Sequence, residues 1–422
     1  MRKSIILALL ISLFLGGCSR SAKPTVSFMV FGGPEELAAY QSLVDAFHAA
    51  QSDVAVELRY VPDQAEYRRR LAADFSAGAA ADVMLLNYRR FATFAGQGGL
   101  EPLSSYLDQS TVLEEGDFYT PVIDSFRFDG QLWCIPQNMS SLVVYYNQDL
   151  FDAAGLPYPS DDWTWGEFLA AAQRLTVDLD GDGRPDQYGA GIEPSLNRLA
   201  PFIWQAGGEL VDDPQNPTRL ALDSPEAQAA LQWFVNLQTE HGVAPDAVAE
   251  SAEGSESRFL NGTLAMYFNS RRGVPTYRTI TDFVWDVAPL PRGAQAASVL
   301  HSDGYCMAAS SKEKEAAWKF IEFANSAAGQ ELIAATGRTV PSLRAVAESP
   351  LFLEPSEAPA SSRVFVDAMD TIRAVPVMAN WPPIEDTASQ DIEQAFYGRV
   401  SVAEAAAAAI ERTRQFFTLG AQ

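Results

Sequence analysis

The stretch from Gly130 to Phe168 constrains the fold of this chain more than any other. It opens with a short apolar run, Leu132-Trp133-Cys134-Ile135, stopped by Pro136. A second run, Ser141 to Tyr146, is rich in β-branched and aromatic residues and closes at Asn147. Short runs of this kind, bounded by Pro, Asn and Gly, read as buried strands. Leu150-Phe151 and Ala153-Ala154 then begin a helical turn that ends at Gly155, with Pro157 and Pro159 preventing its continuation. Thr164-Trp165-Gly166-Glu167 is a capping box, launching Phe168, Ala171, Ala172 and Leu175 at helical spacing. Strand, irregular crossing, strand, helical turn and capped helix describe a chain passing between two lobes.

A length of 422 residues exceeds the usual single-domain range, and 47% hydrophobic content is ample for packed cores. The N-terminal third supplies the pattern of one lobe. Thr25 to Phe31 reads as a strand, Pro34-Glu35-Glu36 as the start of a helix, and Val54 to Tyr60 as an alternating second strand. Tyr67 to Phe75 reads as a basic-faced helix and Asp82 to Leu86 as a third strand. This order predicts a parallel sheet with right-handed crossovers. Ligands of such sheets sit beyond the carboxyl ends of strands. The rule points to Gly32, Gly33 and Glu35 after the first strand, and to Asn87, Tyr88 and Arg89 after the third.

The first residues read as a targeting segment. Arg2-Lys3, the apolar run Ile5 to Leu15 and Leu15-Gly16-Gly17-Cys18 form a secretion signal whose end resembles a bacterial lipobox. Residues 1–17 are then the signal peptide and 18–24 a tether lipidated at Cys18. The formal charge is −24, and loss of Arg2 and Lys3 with the signal makes it −26. Such acidity argues against nucleic acid or anionic lipid surfaces as partners.

Asp178-Leu-Asp180-Gly-Asp182-Gly-Arg184-Pro-Asp186 places carboxylates at the first, third, fifth and ninth positions of an EF-hand-like loop. Arg184 stands at the seventh position, where such loops offer a backbone carbonyl. Gly189 replaces the closing Glu. The residues leave two readings open, a structural Ca²⁺ loop and a solvated acidic turn. No cofactor is required otherwise.

The string Tyr146-Asn147-x-Asp149-Leu150-Phe151-x-x-Ala154-Gly155-Leu156, followed by Pro157 and Thr164-Trp165-x-Glu167-Phe168, resembles the extracellular solute-binding proteins of ABC importers. The nearest branch is the sugar-binding one that includes the maltose-binding proteins. Ala200 to Leu210 and Phe259 to Asn269 resemble further family segments. The resemblance implies an α/β, two-lobed periplasmic-binding-protein-like fold, each lobe a mostly parallel sheet flanked by helices and joined by hinge crossings. Residues 25–137 and 303–341 would form lobe 1, and residues 138–302 and 342–422 lobe 2.

The resemblance further implies a monomeric, extracytoplasmic, lipid-anchored protein that binds sugar between the lobes and delivers it to an ABC permease. Sugars need aromatic faces for their C–H surfaces and planar polar groups for their hydroxyls. Trp204, Trp381, Tyr88 and Tyr305 are candidates for the first, with Trp381 on an exposed loop. Asn87, Glu193, Asn269, Arg271 and Asp303 are candidates for the second. Glu193, Asn269 and Trp381 stand where the sugar-binding branch has ligand contacts. By the same resemblance Cys134 and Cys306 lie in neighbouring strands and could be bridged. A binder of peptides, polyamines or iron is the alternative, then a secreted glycoside hydrolase. No G-x-S-x-G or H-E-x-x-H motif supports an enzyme.

Overall fold

A computed structural model describes residues 23–353 and 357–418; Cys18 and the targeting segment lie outside the described residues. Strand β1 (Thr25–Phe31) is buried on both faces and lies inside the first-lobe sheet, flanked by a strand on either side. Helix α1 (Pro34–Ala50) follows, with Pro34 at its first position and Glu35 and Glu36 in its first turn, where the helix dipole favours carboxylates. Strand β2 (Ala55–Val61), helix α2 (Gln64–Ser76) and strand β3 (Val83–Asn87) complete the expected parallel unit, both β2 and β3 pairing with β1.

The chain crosses to the second lobe through β4 (Cys134–Pro136) and β5 (Asn138–Ser141), then β6 (Val143–Asn147). The run Ser141 to Tyr146 is thus strand β6 from Val143 on, while Ser141 ends the separate short strand β5. They part at buried Leu142, whose carbonyl accepts the Ser298 hydroxyl at 3.0 Å. Helix α3 (Trp165–Leu175) carries the expected capping box from Thr164 and Glu167. Strand β7 (Tyr188–Gly191), helix α4 (Leu196–Gln205), helix α5 (Pro225–Thr239) and strands β8 (Leu264–Asn269) and β9 (Trp285–Ala288) build the second lobe. Its sheet runs β7-β8-β6-β9, with β7 parallel to β8 and the other pairs antiparallel.

Strand β10 (Ser298–His301) passes directly into β11 (Asp303–Ala308), which returns to the first lobe antiparallel to β3 and β4. Cys134 and Cys306 are partners in that register and form a disulfide. The third crossing is β12 (Val340–Pro341), and β12, β5 and β10 pair antiparallel as a small sheet between the lobes. Helices α6 (Trp381–Phe396) and α7 (Val402–Thr418) then pack on each other and on the second lobe. Trp381, expected on an exposed loop, opens helix α6, because Pro382 and Pro383 fall in its first turn, where a missing N–H costs nothing. No helix among the described residues is long and apolar enough to cross a membrane.

Candidate ligand-binding cleft

A cavity of about 1000 Å³ opens between the lobes and is lined from both. The first-lobe wall consists of strand ends. Phe31 closes β1 and Asn87 closes β3, as the carboxyl-end rule requires, and both line the cleft. Asn87 sits opposite Asp303 in the ladder and donates its amide to the Asp303 carboxylate at 3.1 Å. The Asn87 carbonyl oxygen accepts Arg89 Nε at 3.1 Å. Arg89 in turn pairs with Glu385 at the start of α6.

The turn leaving β1 explains the glycines there. Gly32 has φ +139, and a Cβ on it would lie 2.4 Å from the Glu36 carboxyl carbon. That carboxylate accepts Gly33 N–H and pairs with Arg338, which lines the cleft. Glu35 is the exposed neighbour and lines nothing, so the acid that shapes this turn is Glu36. One helical position separates a side chain turned to solvent from one turned inward.

The second-lobe wall is built from β8, helix starts and the β10 end. Tyr267 and Asn269 are two apart on β8 and share its cleft-facing side. Asn269 donates to the Tyr277 hydroxyl at 2.7 Å, and Tyr277 donates to Glu256 at 2.8 Å. Glu193, Ser195, Asn197 and Arg198 reach the cleft at the N-terminus of α4, with Ser195 as its N-cap. Leu196 N–H donates to Ser389 Oγ at 3.0 Å, which ties the start of α4 to the middle of α6. The His301 imidazole accepts the Asn197 amide on Nε2 at 3.1 Å. Burial, reinforced by the guanidiniums of Arg198, Arg89 and Arg272, pushes that imidazole well below its usual range, so it is neutral.

Of the sequence-derived candidates, Asn87, Glu193, Asn269 and Asp303 come together here. Four others do not. Trp381 is fully buried and donates its indole N–H to Glu385 at 2.9 Å; it supports the cleft from behind and offers no stacking face. Trp204 is 2% exposed, with the Arg373 guanidinium over its ring. Tyr88 is buried and its hydroxyl accepts Val375 N–H at 3.3 Å; Tyr305 is likewise interior. Arg271 is interior as well, donating to Gly337 O at 2.8 Å and Ser362 Oγ at 2.9 Å between the rings of Phe352 and Phe365. Its burial pulls the guanidinium down to about 10. Its neighbour Arg272 is the one that lines the cleft.

In place of the tryptophans, the rings exposed to the cleft are Phe31 and Tyr267, one from each lobe. Sequence reasoning missed both, together with Asn197, Arg198 and His301. Two signals would have found most of them. The carboxyl-end rule, applied to β7, points to Glu193–Arg198, and period two along β8 pairs Tyr267 with Asn269.

The acidic loop lies away from the cleft. Carboxylate oxygens of Asp178, Asp180 and Asp186 converge within 4.8 Å, whereas Asp182 accepts Arg184 N–H at 2.8 Å. The donor set of three exposed carboxylates fits a hard cation such as Ca²⁺.

Residues 32–331 match the family of bacterial extracellular solute-binding proteins. The chain belongs to that family. Among its relatives, the mannitol-binding protein of Pseudomonas aeruginosa is 26% identical over 311 residues, covering 70% of this chain and 67% of that one. An ABC substrate-binding protein from Listeria monocytogenes in complex with cycloalternan shares the fold, with a TM-score of 0.84 at 24% identity over 93% of this chain and 98% of that one. The maltose-bound MalE3 of T. maritima superposes with a TM-score of 0.77 at 25% identity, covering 93% of this chain and 99% of the other. These relatives are binding proteins, and the family assignment places this chain outside the cytoplasm.

Proposed function

We propose that the cleft captures a carbohydrate or polyol and that the loaded protein presents it to an ABC permease, acting as a monomer without turnover. The observation that carries this reading is the cleft lining itself. Phe31 and Tyr267 offer a ring from each lobe, and Asn87, Asn138, Asn197 and Asn269 offer planar amides for hydroxyl groups. Relatives binding mannitol, maltose and cycloalternan support it. Three strands cross between the lobes, which suits hinge closure around a ligand. A thermal-shift screen of sugars and polyols tests the reading: a ligand at about 100 times its Kd adds about 2.7 kcal/mol of stability. A screen in which only peptides or polyamines stabilise the protein would refute it. Labelled oligosaccharide should be recovered intact.

The same reading extends to Cys18 as the lipidated mature N-terminus, holding the binder at the membrane near its permease. Cys18→Ser should release the protein into the soluble fraction or leave it uncleaved. Unchanged fractionation and processing would remove the anchor. We also propose that Asp178, Asp180 and Asp186 hold a structural Ca²⁺ that takes no part in ligand binding.

A further inference from the structure

The charges of the cleft differ from those of the protein that contains it. The chain has 54 acidic and 30 basic residues, so an average patch of its surface is net negative. The cleft is lined by Arg68, Arg89, Arg90, Arg198, Arg272 and Arg338, and among the described residues no lysine joins them. Guanidinium is the group suited to planar, bidentate recognition of a carboxylate or phosphate, whereas ammonium is a point charge.

Some of these cations are already neutralised. Arg89 pairs with Glu385, Arg338 with Glu36, and Arg90 lies 3.9 Å from Asp386. Of the remaining acids lining the cleft, Asp303 accepts the Asn87 amide and Glu256 accepts the Tyr277 hydroxyl. Arg68 and Arg272 have no carboxylate within ion-pair distance among the described residues. Arg198 has only Glu193, at 3.6 Å and through an otherwise solvated side chain, although its own side chain is only 14% exposed. A guanidinium that far from water usually has a close anionic partner.

Polar groups beside Arg198 are also incomplete. Asn197 is 6% exposed; its amide nitrogen meets His301 Nε2, and its carbonyl oxygen, an acceptor suited to a ligand hydroxyl and not to the acid, has no partner. His301 Nδ1 is buried without a partner as well. Both residues line the cleft, His301 from the end of β10 and Asn197 from the N-terminus of α4, where backbone N–H groups and the helix dipole favour negative charge. The Arg198, Arg272 and Arg89 guanidiniums all act on the one His301 ring.

We propose that the ligand is an acidic carbohydrate or polyol, its carboxylate or phosphate held on the second-lobe wall by Arg198 and Arg272 beside Asn197 and His301. Arg68 faces the acid from the first lobe, and the polyhydroxyl body lies against Phe31, Tyr267 and the amides. This specificity rests on the carbohydrate reading given above and narrows it. It makes the ligand the counter-charge of Arg198 and Arg272.

The test is calorimetric titration with matched pairs: D-glucose against D-glucuronate and D-glucose 6-phosphate, and neutral against galacturonate oligosaccharides. The uronate and phosphate arms separate the two sources of negative charge. The acidic member of a pair should bind roughly tenfold or more tightly than its neutral counterpart. That preference should shrink as salt is raised. Arg272→Gln, at an exposed position, should collapse the acid-to-neutral ratio while leaving the ligand-free melt unchanged; Arg198→Gln should do the same if it folds. Neutral sugars binding as tightly as their acids, or an unchanged ratio in Arg272→Gln, overturns the proposal and leaves the carbohydrate reading standing. A panel in which no carbohydrate of either kind binds removes both.

Discussion

The two walls of the cleft are held by different forces. On the first-lobe side, Phe31 and Asn87 are the last residues of β1 and β3, and Asn87 and Asp303 are opposite each other in a backbone ladder. Their positions follow from strand pairing, in which each residue's place is set by its neighbours' hydrogen bonds. On the other side, Ser195 to Arg198 sit at the start of α4, and Glu385 to Ser389 lie from the second turn to the middle of α6. Nothing in the backbone pairing fixes where a helix starts relative to its neighbour. That is done by side chains: buried Trp381 holding Glu385, Ser389 accepting Leu196 N–H, and Glu385 holding Arg89 across the cleft. A wall set by a ladder tolerates loss of one side chain, whereas a wall set by packing depends on a few large ones.

Trp381 is the strongest way to break that contrast. Trp381→Ala should destabilise the ligand-free protein by about 3–5 kcal/mol, the usual cost of removing a buried aromatic, and displace Glu385 as well. A melt of the ligand-free mutant checks it. An unchanged melt with lost ligand affinity would return Trp381 to the ligand site and contradict its burial.

On the first-lobe side the strongest single reinforcement is the Cys134–Cys306 disulfide, which links β4 to β11 and spans a sequence separation of 172. Replacing both cysteines by Ser should cost about 2–5 kcal/mol, because the unfolded chain loses its closure. Free-thiol counting under denaturing, non-reducing conditions should find neither cysteine reactive in the native sequence. The effect should fall on global stability with little change in ligand affinity, since neither cysteine lines the cleft.

The same contrast explains what could be read from sequence. The β-α-β-α-β unit, the capped helix at Thr164 and Asn87 at a strand end were all legible, because local pattern and topology determine them. Asn269 was legible as a polar residue closing a strand. Trp381 and Arg271 were not, because the decisive fact is what covers them. Asn380-Trp381-Pro382-Pro383 reads locally as an exposed turn, yet those prolines open α6 and the indole is drawn inward beneath it. Arg271 differs from Arg272 only by its place in a single turn after β8, and the turn points one guanidinium into Phe352 and Phe365 and the other into the cleft.

Asn87 sharpens the comparison from the ladder side. Asn87→Ala removes one amide from the cleft and from Asp303 and Arg89. It should weaken ligand binding by about 1–3 kcal/mol. Because β3 is still paired on both sides, the melt should move less than in Trp381→Ala. Loss of stability equal to that of Trp381→Ala would mean that the two walls are not differently held.

A smaller effect concerns His301 and pH. The folded imidazole titrates well below its usual range, chiefly through burial. The unfolded chain therefore takes up a proton near pH 6.5 while the folded one does not. Stability contributed by the neutral ring is present above that pH and is lost progressively as pH falls below it. His301→Gln should flatten this acid-side loss in melts taken between neutral and mildly acidic pH. An unaltered acid slope would show that other groups carry it.

The acidic loop should give the smallest response, because much of its charge is already answered without a cation. The Asp178 carboxylate accepts Gly181 N–H at 2.7 Å and Gly183 N–H at 2.9 Å, and those backbone donors hold it below the ordinary carboxylate range. Asp186 accepts Leu179 N–H at 2.7 Å. Asp180 accepts only Asp182 N–H, at 3.0 Å, and is the carboxylate with most to gain from a metal. Calcium should therefore raise the melting temperature slightly over chelator, and Asp180→Asn should remove the difference. Ligand affinity should be the same with and without chelator, because none of these residues lines the cleft. Identical melts of the unmodified protein in calcium and in chelator would reduce the loop to an acidic turn stabilised by its own backbone.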